Sequence, residues 1–523
     1  MILPSLLRYF LIGIILSSLI SISISVYEFP VSLESWEKLI STDGVRFTPR
    51  NLHASCVFKN EIWVIGGRTE KFFQYNLLDS FVVNDVWHSA NAEIWKQEQL
   101  LKGDFYAQNE EVIQPGPFPP FFARFGHTLT AIDINRDGIN DHMILLGGFS
   151  PTPSNDIWVT EDGITWIYCG LAPWPPRAMH SAVVNNGTLF VIGGTPLLND
   201  VWYLKSIKKV ARKPPNTRSM YMNYTFETQW VEATNNAAWS PRCGMSVVSQ
   251  NYFNPVNETV ANSRPRMVLV GGYGGLPANH PDADGILCRA DSWWSRNGKD
   301  WFLLNGEIEF GPRAWFGMAV QSGSDSRLDF VHSDRPPKIF LFGGGEIGQS
   351  ATSKRKILLM SAKSDGYFSY DGILWIKINY EEGGGKTVVP FYSSQEWALA
   401  LVQGKETYLG RWGMTVLAFN GTTGNEYPAE LILIAGDTDG AGPMSNEVFK
   451  STKGLYCSKL GKTCNAVGTC KGWGGQLGCD CTTAVANTAT TSGSTSTGSK
   501  STTTSSAAIV DSDYCDGELS YSA

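Results

Sequence analysis

The stretch Arg177–Trp202, RAMHSAVVNNGTLFVIGGTPLLNDVW, sets several short signals in a fixed order. Arginine comes first, with His180 three places on. The apolar run LFVI ends in the double glycine Gly193-Gly194, and an Asn-Asp step at Asn199 leads into Trp202. Short apolar runs bounded by glycine read as strands. One such stretch would decide little. The arginine and the apolar strand ending in two small residues recur in this order six times along the chain, and a recurrence of that kind fixes the architecture.

The other five units begin RNLHASCVF at Arg50, RFGHTLTAI at Arg124, RCGMSVVSQ at Arg242, RAWFGMAVQ at Arg313 and RWGMTVLAF at Arg411. Their apolar strands end IWVIGG, MILLGG, MVLVGG, IFLFGG and LILIAG. The step into an aromatic is NDVW at Asn84, NDIW at Asn155 and NEVF at Asn446, with a weaker ADSW in the fourth unit. A further element closes the unit: TEDGITW (Thr160–Trp166), SRNGKDW (Ser295–Trp301) and SYDGILW (Ser369–Trp375) share [ST]-x-[DN]-G-x-x-W. Asp-Gly and Asn-Gly suit a tight hairpin turn, because both central positions tolerate positive φ. SANAEIW (Ser89–Trp95) keeps the spacing without the glycine, and in the third unit an insertion pushes the closing Trp230 away.

Four short strands per unit, with double glycines and a tryptophan, are the pattern of propeller blades. From Arg50 to about Leu455 these residues resemble kelch repeats. The resemblance implies an all-β, six-bladed kelch-type propeller. Successive arginines lie from 53 (Arg124 to Arg177) to 98 (Arg313 to Arg411) residues apart, more than the usual kelch period of ~50, so the excess belongs to loops. The sixth unit has no tryptophan strand after STKGLYC. SWEKL (Ser35–Leu39) resembles the closing strands, so the N-terminal strand is predicted to complete the last blade and remove the open sheet edge.

The chain has 523 residues, a net charge of −7 and 12% aromatic residues, which argues against a nucleic-acid binder. Arg8 precedes an apolar run from Phe10 to Ile24, with small residues at Ser23 and Ser25. That run is short of the ~20 residues of a membrane span and reads as a cleaved signal peptide over 1–25, with a signal anchor as the alternative. No later stretch could cross a bilayer as a helix. Ten cysteines on that route imply disulfides, and four N-x-[ST] sequons at Asn186, Asn223, Asn257 and Asn420 are glycosylation candidates. An extracellular glycoprotein is expected.

In AIDINRDGINDHMILLGG (Ala131–Gly148), Asp133, Asn135, Asp137 and Asp141 take positions 1, 3, 5 and 9 of a calcium-type loop, and the Ile139 carbonyl falls at position 7. Position 12 is Ile144 and the flanks read as strands, which excludes an EF-hand. The stretch looks like the calcium loops of integrin α-chain propellers, so a structural Ca2+ is expected.

Arg50, Arg124, Arg177, Arg242, Arg313 and Arg411 should ring the mouth of the central channel. In kelch propellers that bind acidic peptides, an arginine here can contact ligand carboxylates, making these six ligand-face candidates. The alternative is that each pairs with an Asp of an ND-W step and holds the blades together. His53, His127 and His180 share one repeat position with Met245, Phe316 and Met414, an exchange that reads as packing rather than metal ligation. His88, His142, His280 and His332 form no spaced ligand set.

Two enzyme classes deserve comparison. Secreted copper-radical oxidases resemble kelch proteins but need a copper site of two tyrosines and two histidines, drawn largely from late in the chain; the last histidine here is His332. The closing turns resemble sialidase Asp boxes, S-x-D-x-G-x-T-W, but are one residue shorter. Nothing marks a nucleophile–base pair, so no catalytic residue is assigned and no enzyme is expected.

At the C-terminus, C-x6-C-x5-C-x8-C-x-C from Cys457 to Cys481 resembles an epidermal-growth-factor-like module. That family's pairing would bridge Cys457–Cys470, Cys464–Cys479 and Cys481–Cys515. Cys56, Cys169, Cys243 and Cys288 could pair three ways, Cys243–Cys288 being preferred. The Ser/Thr run that follows cannot bury a core. The expected organisation is a leader (1–25), propeller (26–456), cysteine module (457–481, or to Cys515), disordered stalk (482–510) and tail (511–523). The expected function is extracellular binding, adhesion or scaffolding, recognising a protein or glycan ligand through a propeller face. A secreted glycan-acting enzyme, sialidase-like or carbohydrate-oxidase-like, is the alternative.

Overall fold

The computed structural model describes residues 35–41, 44–71, 79–98, 121–211, 224–254, 263–275, 286–321, 337–349, 358–378, 410–419, 430–438 and 444–452. It also describes the backbone strands 454–457, 462–465, 469–473 and 476–480. Every regular element among them is a β-strand. Six antiparallel blades of four strands follow one another and close into a six-bladed propeller. Blade 2 is representative: Thr128–Ile132, His142–Ser150, Thr152–Thr160 and Ile167–Leu171 pair in chain order from the axis outward.

The second strand of each blade is apolar at consecutive positions because neighbouring blades cover both its faces. Leu129, Leu145 and Trp158 of blade 2 pack on Cys56, Trp63 and Ile65 of blade 1. Ile144 and Leu146, on the other face, meet Leu189 and Val191 of blade 3. The same holds at the seam that closes the ring, where Ile432, Ile434 and Val448 of blade 6 meet Ile62, Val64 and Trp87 of blade 1. Blade 6 is completed by Ser35–Leu39, which pairs antiparallel with Ser445–Thr452 in the register Ser35↔Thr452 to Leu39↔Val448. Trp36 takes the place of the closing tryptophan, edge-on to Phe342 of blade 5 at 5.0 Å.

The double glycines make room for the residue three places after each arginine. The Cβ of His127 rests on Gly148 of its own blade, and its ring rests on Gly66 of the preceding blade; a Cβ on either glycine would come within 2.7 or 2.9 Å. Met245 sits likewise between Gly272 and Gly193, and Met414 between Gly436 and Gly343.

The [ST]-x-[DN]-G-x-x-W turns differ from the two-residue hairpin expected of them. Only the glycine is left-handed, at φ 82° for Gly163. Asp162 Oδ1 accepts the amides of Ile164 (2.8 Å) and Thr165 (2.7 Å), Thr160 Oγ1 accepts that of Gly163 (2.9 Å), and the Trp166 indole donates to the Gly163 carbonyl (3.0 Å). The local side-chain bonds make a longer Asx-type loop. Blade 1 builds it with Ala92 at φ 64° in place of glycine.

Cys243 and Cys288 are not bridged to one another, contrary to the preferred pairing. Both lie opposite Tyr273, on the two strands that flank it. Two strand spacings, roughly 9–10 Å, exceed the ~7 Å reach of a disulfide between Cα atoms. Neither these two nor Cys56 and Cys169 form a disulfide. The leader, the stalk, the tail and the side chains of Cys457, Cys464, Cys470, Cys479, Cys481 and Cys515 lie outside the described residues. So do Asn223, Asn257 and Asn420, whereas Asn186 is exposed in the turn between Ser181–Asn185 and Thr188–Gly194. No helix among the described residues is long and apolar enough to cross a membrane.

Candidate ligand face and the propeller axis

Each unit arginine enters its blade just before the innermost strand, and its side chain turns inward rather than outward. All six are at most 2% exposed. Arg124 makes a bidentate pair with Asp156 at 2.7 Å on both oxygens and donates to the Gly147 carbonyl at 2.7 Å. Arg50 pairs with Asp85, Arg177 with Asp200, Arg242 with Asp291 and Arg313 with Asp365 in the same way, and Arg411 pairs with Glu447. The carboxylate is completed by the aromatic two places on, as where the Trp158 indole donates to Asp156 at 2.7 Å. An aromatic three places before the arginine covers the guanidinium, with Arg177 5.3 Å from the Trp174 ring. Burial works to raise the Asp156 carboxyl, and the bonds and charge of Arg124 outweigh it and hold the group below its usual range.

These arginines therefore do not present guanidinium groups to a ligand, which corrects their assignment to a ligand face. They rivet the blades. While the side chain of Arg124 holds its own blade, its backbone N–H donates to Val83 O and its carbonyl accepts from Gly67, both of the preceding blade.

Two residues after each arginine the chain turns left-handed at Leu52, Gly126, Met179, Gly244, Trp315 and Gly413, with φ between 51° and 63°. Each of these residues donates its N–H to the carbonyl of its counterpart one blade back, at 2.6–2.9 Å, and Leu52 closes the circle on Gly413. Six backbone hydrogen bonds thus form a ring about the axis. Large residues alternate with glycine because each large side chain overlies a neighbouring glycine. A Cβ on Gly244 would lie 2.6 Å from the Trp315 indole nitrogen, and one on Gly126 would lie 3.0 Å from Met179.

A cavity of ≈ 130 Å3 lies on the axis against this ring, with His53, His127 and His180 among its walls. His53 Nε2 meets Thr415 Oγ1 at 2.9 Å and His180 Nε2 meets Thr128 Oγ1 at 3.0 Å. Burial, reinforced by Arg50 and Arg177 respectively, pushes both imidazoles down to about 3, so they are neutral near pH 7.

The outer rim of the ring is aromatic. Trp315 lies 5.7 Å from Tyr273 and 6.0 Å from Trp412, and all three rings are half-buried. The indole N–H groups of Trp315 and Trp412 have no acceptor among the described residues. Phe125 and Phe149 pair at 5.2 Å on the same face, with Arg68 over Phe125 at 5.7 Å. Trp315 and Trp412 are visible in the sequence beside unit arginines, but the aromatic rim was not read there.

On the opposite face, the Asp133–Asp141 loop satisfies its oxygens internally. Asp133 accepts the amides of Arg136, Asp137 and Gly138, Asn135 that of Asp137, and Asp137 that of Ile139. Asp141 accepts those of Ile134 and Asn135 and bonds His142 Nδ1 at 2.8 Å. Burial works to raise Asp141, and His142 with the two amides brings it below its usual range. In this geometry the oxygens point to the loop's own N–H groups and do not form a cage. Among the described residues no group of three or more His, Cys, Asp or Glu is placed to hold a metal ion.

No family model matches the chain, and no curated protein matches it. Among solved structures, "Structure of YjhT" is similar over 77% of this chain and 95% of that one, at 14% identity and a TM-score of 0.42.

Proposed function

We propose that the chain is a secreted, kelch-type binding propeller that engages a protein or glycan ligand on the arginine-side face, through the aromatic rim around the axis. The observation that supports this reading is the half-buried aromatic cluster Tyr273–Trp315–Trp412. Half-exposed aromatic faces suit sugar rings and peptide backbones alike. The leader, the sequons and the cysteine-rich C-terminus support an extracellular setting. Calcium remains part of the proposal only if Asp133, Asp137 and Asp141 exchange their amide partners for the ion, which titration calorimetry with Ca2+ would register.

The test is a glycan and peptide array probed with the full chain, with glycosidase and oxidase assays run in parallel. Trp315→Leu (blade 1 carries Leu52 at that place) and Trp412→Ala should each weaken capture about tenfold or more while melting normally. Glycan turnover by the wild type, abolished in these variants, would replace the binding reading with an enzymatic one.

A further inference from the structure

We infer that the axial cavity is a built site for a small uncharged molecule that both donates and accepts through a hydroxyl, held by His127. This does not rest on the surface-binding reading. The site follows from a broken repeat. A histidine of one blade finds its partner in the hydroxyl that follows the equivalent residue one blade back: Thr415 for His53 and Thr128 for His180. For His127 that position is Ala54. Its Nε2 consequently lacks a partner among the described residues, Nδ1 lacks one as it does in His53 and His180, and His127 is only 5% exposed.

Leaving such a nitrogen buried and unmatched costs roughly 1–3 kcal/mol, and the cavity beside it offers room for a guest. Its ≈ 130 Å3 compares with the ~10–15 Å3 that one water occupies by that measure. The chemistry of the walls selects the guest. Burial, with Arg124 next, keeps His127 neutral, so its ring offers one donor and one acceptor. No carboxylate lines the cavity to attract a cation, and the Ser246 hydroxyl stands in the wall beside the apolar side chains of Met245, Met414 and Phe316. A water or an alcohol hydroxyl fits both demands.

The test is a high-resolution crystal structure of the full chain, grown without and with ethylene glycol, together with saturation-transfer NMR using ethylene glycol as the probe. A guest oxygen within hydrogen-bond distance of His127 is expected. It should vanish in His127→Met, the residue that blades 4 and 6 carry there. In Ala54→Thr, which offers Nε2 an internal partner, it should be displaced. Transfer to ethylene glycol that disappears in His127→Met identifies an alcohol site; an ordered guest without transfer identifies water. A dry cavity, a guest that does not touch His127, a bound metal ion, or a guest unchanged in both variants would overturn the inference.

Discussion

Five of the six buried guanidiniums face one carboxylate across two hydrogen bonds, and the Arg124–Asp156 pair has little contact with solvent. Such a pair resists loss of a single partner more than its net contribution would suggest, because the survivor is a buried, uncompensated charge. Arg124→Met is therefore expected to destabilise the fold by about 3–5 kcal/mol, since Asp156 is 8% exposed and has Arg124 as its cation. Urea denaturation reads this as a lowered midpoint. Full stability with lost ligand capture would instead restore a recognition role to the arginine. The pairing partners were half legible in the sequence. Asp85, Asp156 and Asp200 stand in visible ND-W steps, and Asp291 in a weaker one. Asp365 was missed because its aromatic, Tyr367, follows a glycine in SDGYF. The covering ring three places before the arginine is written in FTPR, FFAR, WPPR, WSPR and FGPR. It escapes a search that starts each unit at the arginine.

A blade's closing turn shows how a correct motif can carry a wrong geometry. The spacing of [ST]-x-[DN]-G-x-x-W placed the turn, but Asp-Gly alone does not tell a two-residue hairpin from a loop held by its own side chains. What distinguishes them is the tryptophan, whose indole reaches back to the glycine carbonyl. The glycine also has a tertiary reason. A Cβ at Gly163 would lie 2.2–2.7 Å from the Trp63 ring of the preceding blade, at a φ of +82°. Gly163→Ala should therefore cost about 3 kcal/mol, combining left-handed strain of ~1–2 with overpacking of ~1–3. Thermal unfolding would check it, and an unchanged midpoint would show that blades 1 and 2 separate freely at this seam. The N-terminal strand was legible because Trp36 repeats a pattern already seen in other blades. The Cys243–Cys288 guess failed because closeness along the chain says nothing about the strand inserted between them.

Around the whole ring, the six units meet at the axis, where the sequence was least informative. The alternation Leu52, Gly126, Met179, Gly244, Trp315, Gly413 is plain once the six units are aligned, yet its meaning depends on the neighbouring blade, which a single unit cannot show. The same holds for the histidines. Their exchange with methionine and phenylalanine correctly suggested packing, but packing that isolates an imidazole also makes the fold sensitive to acid. In the unfolded chain His53 and His180 titrate near 6.5, whereas in the propeller they stay neutral down to about 3. Between those values the unfolded chain binds more protons, so stability falls as pH drops below about 6.5, approaching ~1.4 kcal/mol per pH unit for each histidine. Glu447 adds a second, later loss. Burial works to raise its carboxyl, and Arg411 and Lys38 outweigh it and hold the group at about 2. Its contribution is complete above about 4.5 and disappears as pH falls from there toward 2. Urea denaturation at pH 7, 6, 5 and 4 should thus show a decline that begins near pH 6 and steepens below pH 4.5. His180→Met should flatten the whole curve between about pH 6 and 4, by about 1.4 kcal/mol per pH unit, while the extra steepening from Glu447 below pH 4.5 should remain. Stability that stays level from pH 7 to 5 in the wild type would mean that these imidazoles accept protons within the fold, and that the axis is wetter than its burial implies.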